Sequence, residues 1–286
     1  MATTLTQLEL DHRNIDCGMS YVVQLESGHF FLVDGGYFSP GEADRLYDFL
    51  RARCGGTPVV AGWYFSHAHQ DHIGVFLDMM ERHRENLRLC RLYFNFQPLD
   101  LPETSGGWRT KSNDLATVRR FYEVLQERCA DVPVHTLKTG ERLRVEELSL
   151  EVLYTHEDLD AASTFNDHST VLLLTACGQR ILLLGDVFTE GSRVLLSRCP
   201  EKLRCDIVQV SHHGYGGATR ALYEATGARV ALWPTPDYGM EPNARRPANH
   251  YLLKESGVAE HLVSGRGTAR LPLPYAPRAK GERAGS

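Results

Sequence analysis

The run Ser66-His67-Ala68-His69-Gln70-Asp71-His72-Ile73-Gly74 constrains this chain more than any other stretch. It follows directly on the apolar segment Val59-Val60-Ala61-Gly62-Trp63-Tyr64-Phe65. Such a segment reads as a buried strand, so the polar cluster is expected where that strand ends and a loop begins. Imidazole and carboxylate are preferred zinc ligands, and so dense a cluster would otherwise hold mutually repelling or unsatisfied groups.

Around this segment the pattern reads as two similar halves. Strands are expected at 5–11, 21–25 and 30–34, with an amphipathic helix at 42–53 ended by Gly55-Gly56. The strand carrying the cluster follows, then a helix near 74–84 and a strand at 87–96. The second half repeats the plan, with strands at 142–145, 148–154, 170–175, 180–184, 206–210 and 229–234. Helices are expected around Leu195 and Ala221, and two short strands within 260–274. Two mixed sheets packed face to face, with helices outside, would bury such strands.

Three further motifs accompany the cluster. They are Phe31-Leu32-Val33-Asp34-Gly35-Gly36, Ile181-Leu182-Leu183-Leu184-Gly185-Asp186, and Asp206-Ile207-Val208-Gln209-Val210-Ser211-His212-His213-Gly214. In this order, with His-x-His-x-Asp-His, they resemble the metallo-β-lactamase superfamily. Within it the chain is similar to the metallohydrolase domain of DNA-uptake (competence) proteins and to phosphorylcholine esterases. The resemblance runs from about residue 5 to about residue 270. It implies an α/β (α+β) fold, a four-layer αβ/βα sandwich of two mixed β-sheets flanked by helices.

The same resemblance implies a hydrolase that holds two divalent ions and uses a hydroxide between them as nucleophile. His67 and His69 then correspond to ligands of site one, Asp71 and His72 to ligands of site two, and Asp186 to a bridge. His213 is expected as a ligand with His212 as a phosphate contact, or the two reversed. The third ligand of site one is expected in Thr164-Phe165-Asn166-Asp167-His168-Ser169. His168 is the best placed there, with Asp167 or Asn166 as alternatives. Asp71 is also expected to orient the nucleophile and accept its proton. Asp34 is expected to brace the metal loop by hydrogen bonds, and Ser211 to do likewise. Zinc is the default ion, with manganese or iron fitting almost as well.

Composition narrows the setting. At 286 residues and 42% hydrophobic content the chain has ample material for a core. One domain over 1–275 is expected, with an inserted loop and helix at about 97–130 and a disordered tail at 276–286. The insertion, with Trp108, reads equally as a wall of the site or as a surface excursion. No apolar run approaches the roughly 20 residues that span a bilayer, and Met1-Ala2-Thr3-Thr4-Leu5 lacks signal-peptide character. The seven cysteines include no C-x-x-C pair, so they read as reduced thiols in a cytoplasmic protein.

Substrate follows less directly. The resemblance favours a phosphodiester; an ester, thioester, lactone or lactam would use the same metals, and fold alone does not choose. A nuclease would want a basic groove, yet 31 basic residues face 36 acidic ones. The basic clusters are Arg119-Arg120, Arg245-Arg246 and the tail. A small phosphodiester or phosphorylated metabolite is therefore expected ahead of nucleic acid. His12, His29, His83, His135, His156, His250 and His261 are isolated and read as structural or exposed.

Overall fold

Residues 30–34 and 59–65 are apolar without interruption, the pattern of strands covered on both faces. The computed structural model, which describes residues 1–9, 17–97, 112–159 and 164–277, shows them in that position. The first sheet is built from β1 (Thr4–Gln7), β2 (Ser20–Gln24), β3 (Phe30–Asp34), β4 (Val59–Tyr64), β5 (Arg88–Leu89), β6 (Leu92–Phe94) and β7 (Val134–Thr136). The second contains β8 (Arg142–Val145), β9 (Leu148–Tyr154), β10 (Val171–Ala176), β11 (Gln179–Leu183), β12 (Ile207–Gln209), β13 (Val230–Trp233) and β14 (Glu260–Val263). A last strand, β15 (Ala269–Pro272), crosses back to pair with β1 in the first sheet, Leu271 opposite Leu5.

The strand orders are β15-β1-β2-β3-β4-β6-β7, with β5 beside β4, and β14-β13-β12-β11-β10-β9-β8. Each sheet is antiparallel up to one strand, β3 or β11, and parallel beyond it. The expected two halves are therefore present as two matching sheets. Phe31 and Val33 point into the core between the sheets, with Tyr64, Leu172, Leu183 and Leu232. Phe30 and Leu32 point the other way, as the period of two requires.

On that outer side lie α1 (Glu42–Arg51), α2 (Gln70–His83) and α3 (Ser112–Arg128), which bury Leu46, Leu50, Phe76, Met79 and Phe121 against the sheet. Outside the second sheet are α4 (Thr189–Arg198), α5 (Arg220–Thr226), α6 (Asp237–Asn243) and α7 (Pro247–His250). The result is the four-layer αβ/βα sandwich expected from the sequence.

Several expectations were displaced. The stretch 87–96 is two short strands, because the ladder breaks at Cys90-Arg91. The three residues of β7 and the helices α6 and α7 are too short to show a period. Strand β1 ends at Gln7, and residues 10–16 lie outside the described residues, as do His12, the 98–111 part of the insertion with Trp108, and the tail beyond 277. No helix among the described residues is long and apolar enough to cross a membrane.

The most consequential shift is in α2, which starts at Gln70 instead of near Gly74. Half of the metal motif is thus the first helical turn, and Gly74 is helical. There a Cβ would sit 2.2 Å from the backbone nitrogen of Phe38. Gly74→Ala should therefore destabilise the protein by about 3 kcal/mol, from forced displacement of a packed segment. Urea unfolding checks this, and an unchanged midpoint would show that the loop at Phe38 yields freely.

Candidate metal centre

The centre forms where loops leave the ends of β4, β11 and β12. Beyond β4, His67 and His69 lie in the turn, and Asp71 and His72 in the first turn of α2. Asp186 follows β11, and His213 follows β12 in a short 3-10 turn. Two sets of potential ligand atoms result, each with its members within 4.8 Å of one another: Asp71, His72, Asp186 and His213, and His67, His69 and Asp186. Asp186 belongs to both, as a bridging carboxylate would.

Distances within the sets suit coordination. His213 Nε2 lies 3.0 Å from Asp71 Oδ2 and 3.5 Å from Asp186 Oδ2. His72 Nε2 lies 3.3 Å from Asp186 Oδ1, and His67 Nε2 lies 3.7 Å from Asp186 Oδ2. Ligand atoms around a tetrahedral zinc with bonds of about 2.0–2.2 Å are about 3.3–3.5 Å apart. His72 Nε2 also faces His213 Nε2 at 3.2 Å, and His67 Nε2 faces His69 Nδ1 at 2.9 Å. Pairs of ring nitrogens at such range share at most one proton, whereas a cation satisfies both lone pairs. Asp186 Oδ1 is buried and accepts no hydrogen bond among the described residues. The donor set fits divalent metal.

The remaining nitrogens of these ligands are held from behind, as metal-binding histidines usually are. His72 Nδ1 contacts Asp34 Oδ2 at 2.7 Å, and His213 Nδ1 donates to the Pro234 carbonyl at 2.9 Å. His67 Nδ1 contacts Ser66 Oγ at 3.1 Å. Asp34 also accepts from Ser66 N and Ser66 Oγ, each at 2.7 Å. The bracing expected of Asp34 is thus in place. Ser211 braces differently: its hydroxyl donates to the Val187 carbonyl and its N–H to the Tyr223 hydroxyl.

Three supports had no signal in the sequence. Ser169 Oγ accepts from Asp186 N at 2.9 Å. Gln209, fully buried, accepts from Leu184 N and donates to the Gly185 carbonyl, fixing the turn that carries Asp186. Cys17 Sγ donates to Asp71 Oδ2 at 3.2 Å, a contact that only the folded chain reveals.

The floor of the centre is buried. His67, His72, Asp186 and His213 are 1% exposed or less. Asp71 keeps 18% of its side chain exposed, and His69 and His212 are also part-exposed, so they form the mouth. His212 stands outside both ligand sets, its ring edge-on to Phe188 at 4.7 Å. It and His213 both adopt the left-handed conformation, φ 48° and 53°. Strained backbone of this kind is kept where surrounding contacts over-determine it.

His168 is buried at 4% exposure but belongs to neither ligand set. Its ring packs against Phe165 and His156, at 5.8 and 5.9 Å between centroids. Its neighbour Asp167 receives the N–H groups of Phe188 and Gly191, so it serves the start of α4.

Charges within the cluster offset one another. Burial pushes Asp71 and Asp186 upward, but His72 and His213 outweigh it and hold both carboxyls well below the usual range. Burial likewise opposes charge on His72 and His213, yet Asp186, Asp34 and Asp71 raise His72 strongly, and Asp186 and Asp71 raise His213 to about 9. His67 is pushed well down by burial and by the neighbouring His72 and His69. His168 falls to about 3 through burial, His156 and His69. Burial lowers His212, leaving a neutral ring.

No family model and no curated protein matches the chain. Solved structures do. It is similar to the metallo-β-lactamase fold protein YhfI from Bacillus subtilis, at 12% identity over 93% of this chain and 99% of that one, TM-score 0.55. It is similar to a diphosphatase from the PhnP family, at 16% identity over 96% and 100%, TM-score 0.52. CmlA, a diiron β-hydroxylase from Streptomyces venezuelae, is similar at 15% identity over 95% of this chain, TM-score 0.50; this chain spans 54% of it. The chain has the metallo-β-lactamase fold.

Two measurements test the centre. Asp34→Asn should weaken zinc affinity by about 10–100-fold, read by competition with a chromogenic chelator, because His72 loses its oriented partner. An unchanged affinity would make Asp34 a purely structural residue. Metal must also displace protons. His72 and His213 are both raised above the ordinary value and their facing Nε2 atoms share at most one proton, so zinc should release about one proton from the pair. The contribution of His213 to metal-free stability is complete below pH ~6.5 and fades as pH rises through about 9. Calorimetry in buffers of different ionisation enthalpy would find the release shrinking between pH 7 and 10, and a pH-independent release would contradict the assignment.

Proposed function

We propose that this chain is a dinuclear metal-dependent hydrolase that cleaves a phosphodiester, in a cytoplasmic setting that suits its seven cysteines, which form no disulfide. The observation that carries the reading is the pair of ligand sets sharing Asp186. His67 and His69 would hold one ion with Asp186. Asp71, His72, Asp186 and His213 would hold the other. His168 is the candidate to complete the first set. Zinc is the ion we favour, and the mixed nitrogen and carboxylate donors would also suit manganese or iron.

Two bound divalent ions would lower the pKa of coordinated water from about 15.7 to about 7 and polarise the oxygens of the scissile group. The protein's own groups supply the rest. Asp71, whose side chain is part-exposed, offers Oδ2 as a proton acceptor at the mouth. His212, on the same rim, presents a neutral ring that can hydrogen-bond a phosphoryl oxygen. The buried floor keeps bulk water from competing for the ligands.

The fold does not select the substrate, since similar structures include both a diphosphatase and a diiron β-hydroxylase. Support for phosphate comes from the His212-His213 pair and the likeness to competence and phosphorylcholine-esterase domains. Metal content by mass spectrometry, with bis-p-nitrophenyl phosphate turnover before and after chelation, tests the reading. About two ions per chain are expected, with turnover lost on chelation and reduced roughly 10²–10⁴-fold in Asp71→Ala. Two ions with turnover of an ester or lactone alone would move the chain to the acyl branch. Absence of bound metal after reconstitution would overturn the proposal.

A further inference from the structure

We propose that Arg246 selects substrates carrying a second phosphate, placed beyond the group that is cleaved; this rests on the phosphodiester reading above. The loop that begins with His212-His213 continues through Gly214-Tyr215-Gly216-Gly217, and the segment from α6 to α7 closes over it. Asn249 of α7, 3% exposed, donates to the Gly214 carbonyl at 2.6 Å, which ties that helix to the loop. Arg246 is the residue that caps α7.

Its guanidinium is positioned on both sides. Nε donates to Oδ1 of Asn243, a residue 4% exposed, at 3.2 Å. The other end lies against Gly216, where a Cβ would stand 2.8 Å from Nη1 and 3.3 Å from Cζ. Gly216 has φ 106°, so glycine there provides both the turn and the space for the guanidinium. Gly216 is three positions beyond His213, a reach of at most roughly 11 Å along the chain.

The charge is held but not neutralised. Among the described residues no carboxylate lies within 4.0 Å of Arg246, whereas its neighbour Arg245 pairs with Glu241 at 3.6 Å. Arg246 is exposed, so a ligand at the mouth can meet it. A guanidinium fork matches phosphate oxygens in two parallel hydrogen bonds. It lies against Gly216, three positions beyond His213, so it would meet an anionic group to one side of the reacting phosphorus.

The test compares thymidine 5′-(p-nitrophenyl phosphate) with the same compound bearing a 3′-phosphate, on zinc-loaded protein. The wild type should favour the 3′-phosphate through KM. Arg246→Ala should cut that preference about tenfold, the worth of one exposed charge-assisted contact, with equal bound metal. Arg246→Lys should keep part of it, and Gly216→Ala should lose it by displacing Nη1. A preference unchanged in Arg246→Ala overturns the proposal. Should the wild type hydrolyse neither compound, the diesterase reading fails separately, and binding of thymidine 3′,5′-bisphosphate decides. A tenfold weaker Kd in Arg246→Ala then supports the anion site, and equal affinity removes it.

Discussion

The hydrogen bonds of Asp34 hold together the parts on which the centre depends. Its carboxylate is 1% exposed and receives Ser66 N, Ser66 Oγ and His72 Nδ1. Burial raises its pKa and these contacts oppose the rise, so the ionised group requires its partners. That requirement joins the end of β3, the turn after β4 and the first turn of α2. Asp34 itself sits at φ 50°, a conformation an aspartate accepts at modest cost when its surroundings fix it. Two backbone contacts lock the same junction, Gly35 N to the His72 carbonyl and Val75 N to the Gly36 carbonyl.

The second half repeats this arrangement with the roles changed. Asp34 ends β3 and Asp186 follows β11, the strands at which each sheet turns from antiparallel to parallel pairing. The next strand in each sheet, β4 or β12, delivers histidines: His67, His69 and His72 from one, His212 and His213 from the other. One aspartate braces a histidine from behind, and the other faces the metal sets. The matching ends converge because the sheets pack face to face through one apolar core. A centre assembled this way needs no domain movement to form, and its floor is as rigid as the core beneath it.

How much of this was legible depends on the physics behind each signal. The long strands were readable because burial on both faces imposes unbroken apolar runs. Phe30 to Asp34 and Ile181 to Leu184 show this. The candidate ligand cluster was readable because few other reasons gather such groups. The start of α2 was not, since Gln70, Asp71 and His72 look like loop residues; their polarity serves the site and not solvent. Ser169, Gln209 and Cys17 were invisible because a hydroxyl, an amide or a thiol becomes a support only through tertiary contact. The fate of His168 depends on loop placement, which no period encodes.

Charge shows the same divide between composition and geometry. The chain is net acidic, and its two internal basic pairs look alike on the page. In the fold they differ. Arg120 is spent in a network with Glu81, Glu123 and Glu127 on the α2–α3 face, which leaves little field for a ligand. Arg245 pairs with Glu241. Among the described residues Arg246, like Arg119, has no carboxylate within 4.0 Å, but Arg246 lies against the loop that carries the double histidine. Net charge speaks to long-range attraction of a polyanion, and argues against duplex DNA here. Recognition of one small phosphorylated molecule needs only a few groups at the right place. On a fold that supports many chemistries, the side chains at the rim are where selectivity must be sought.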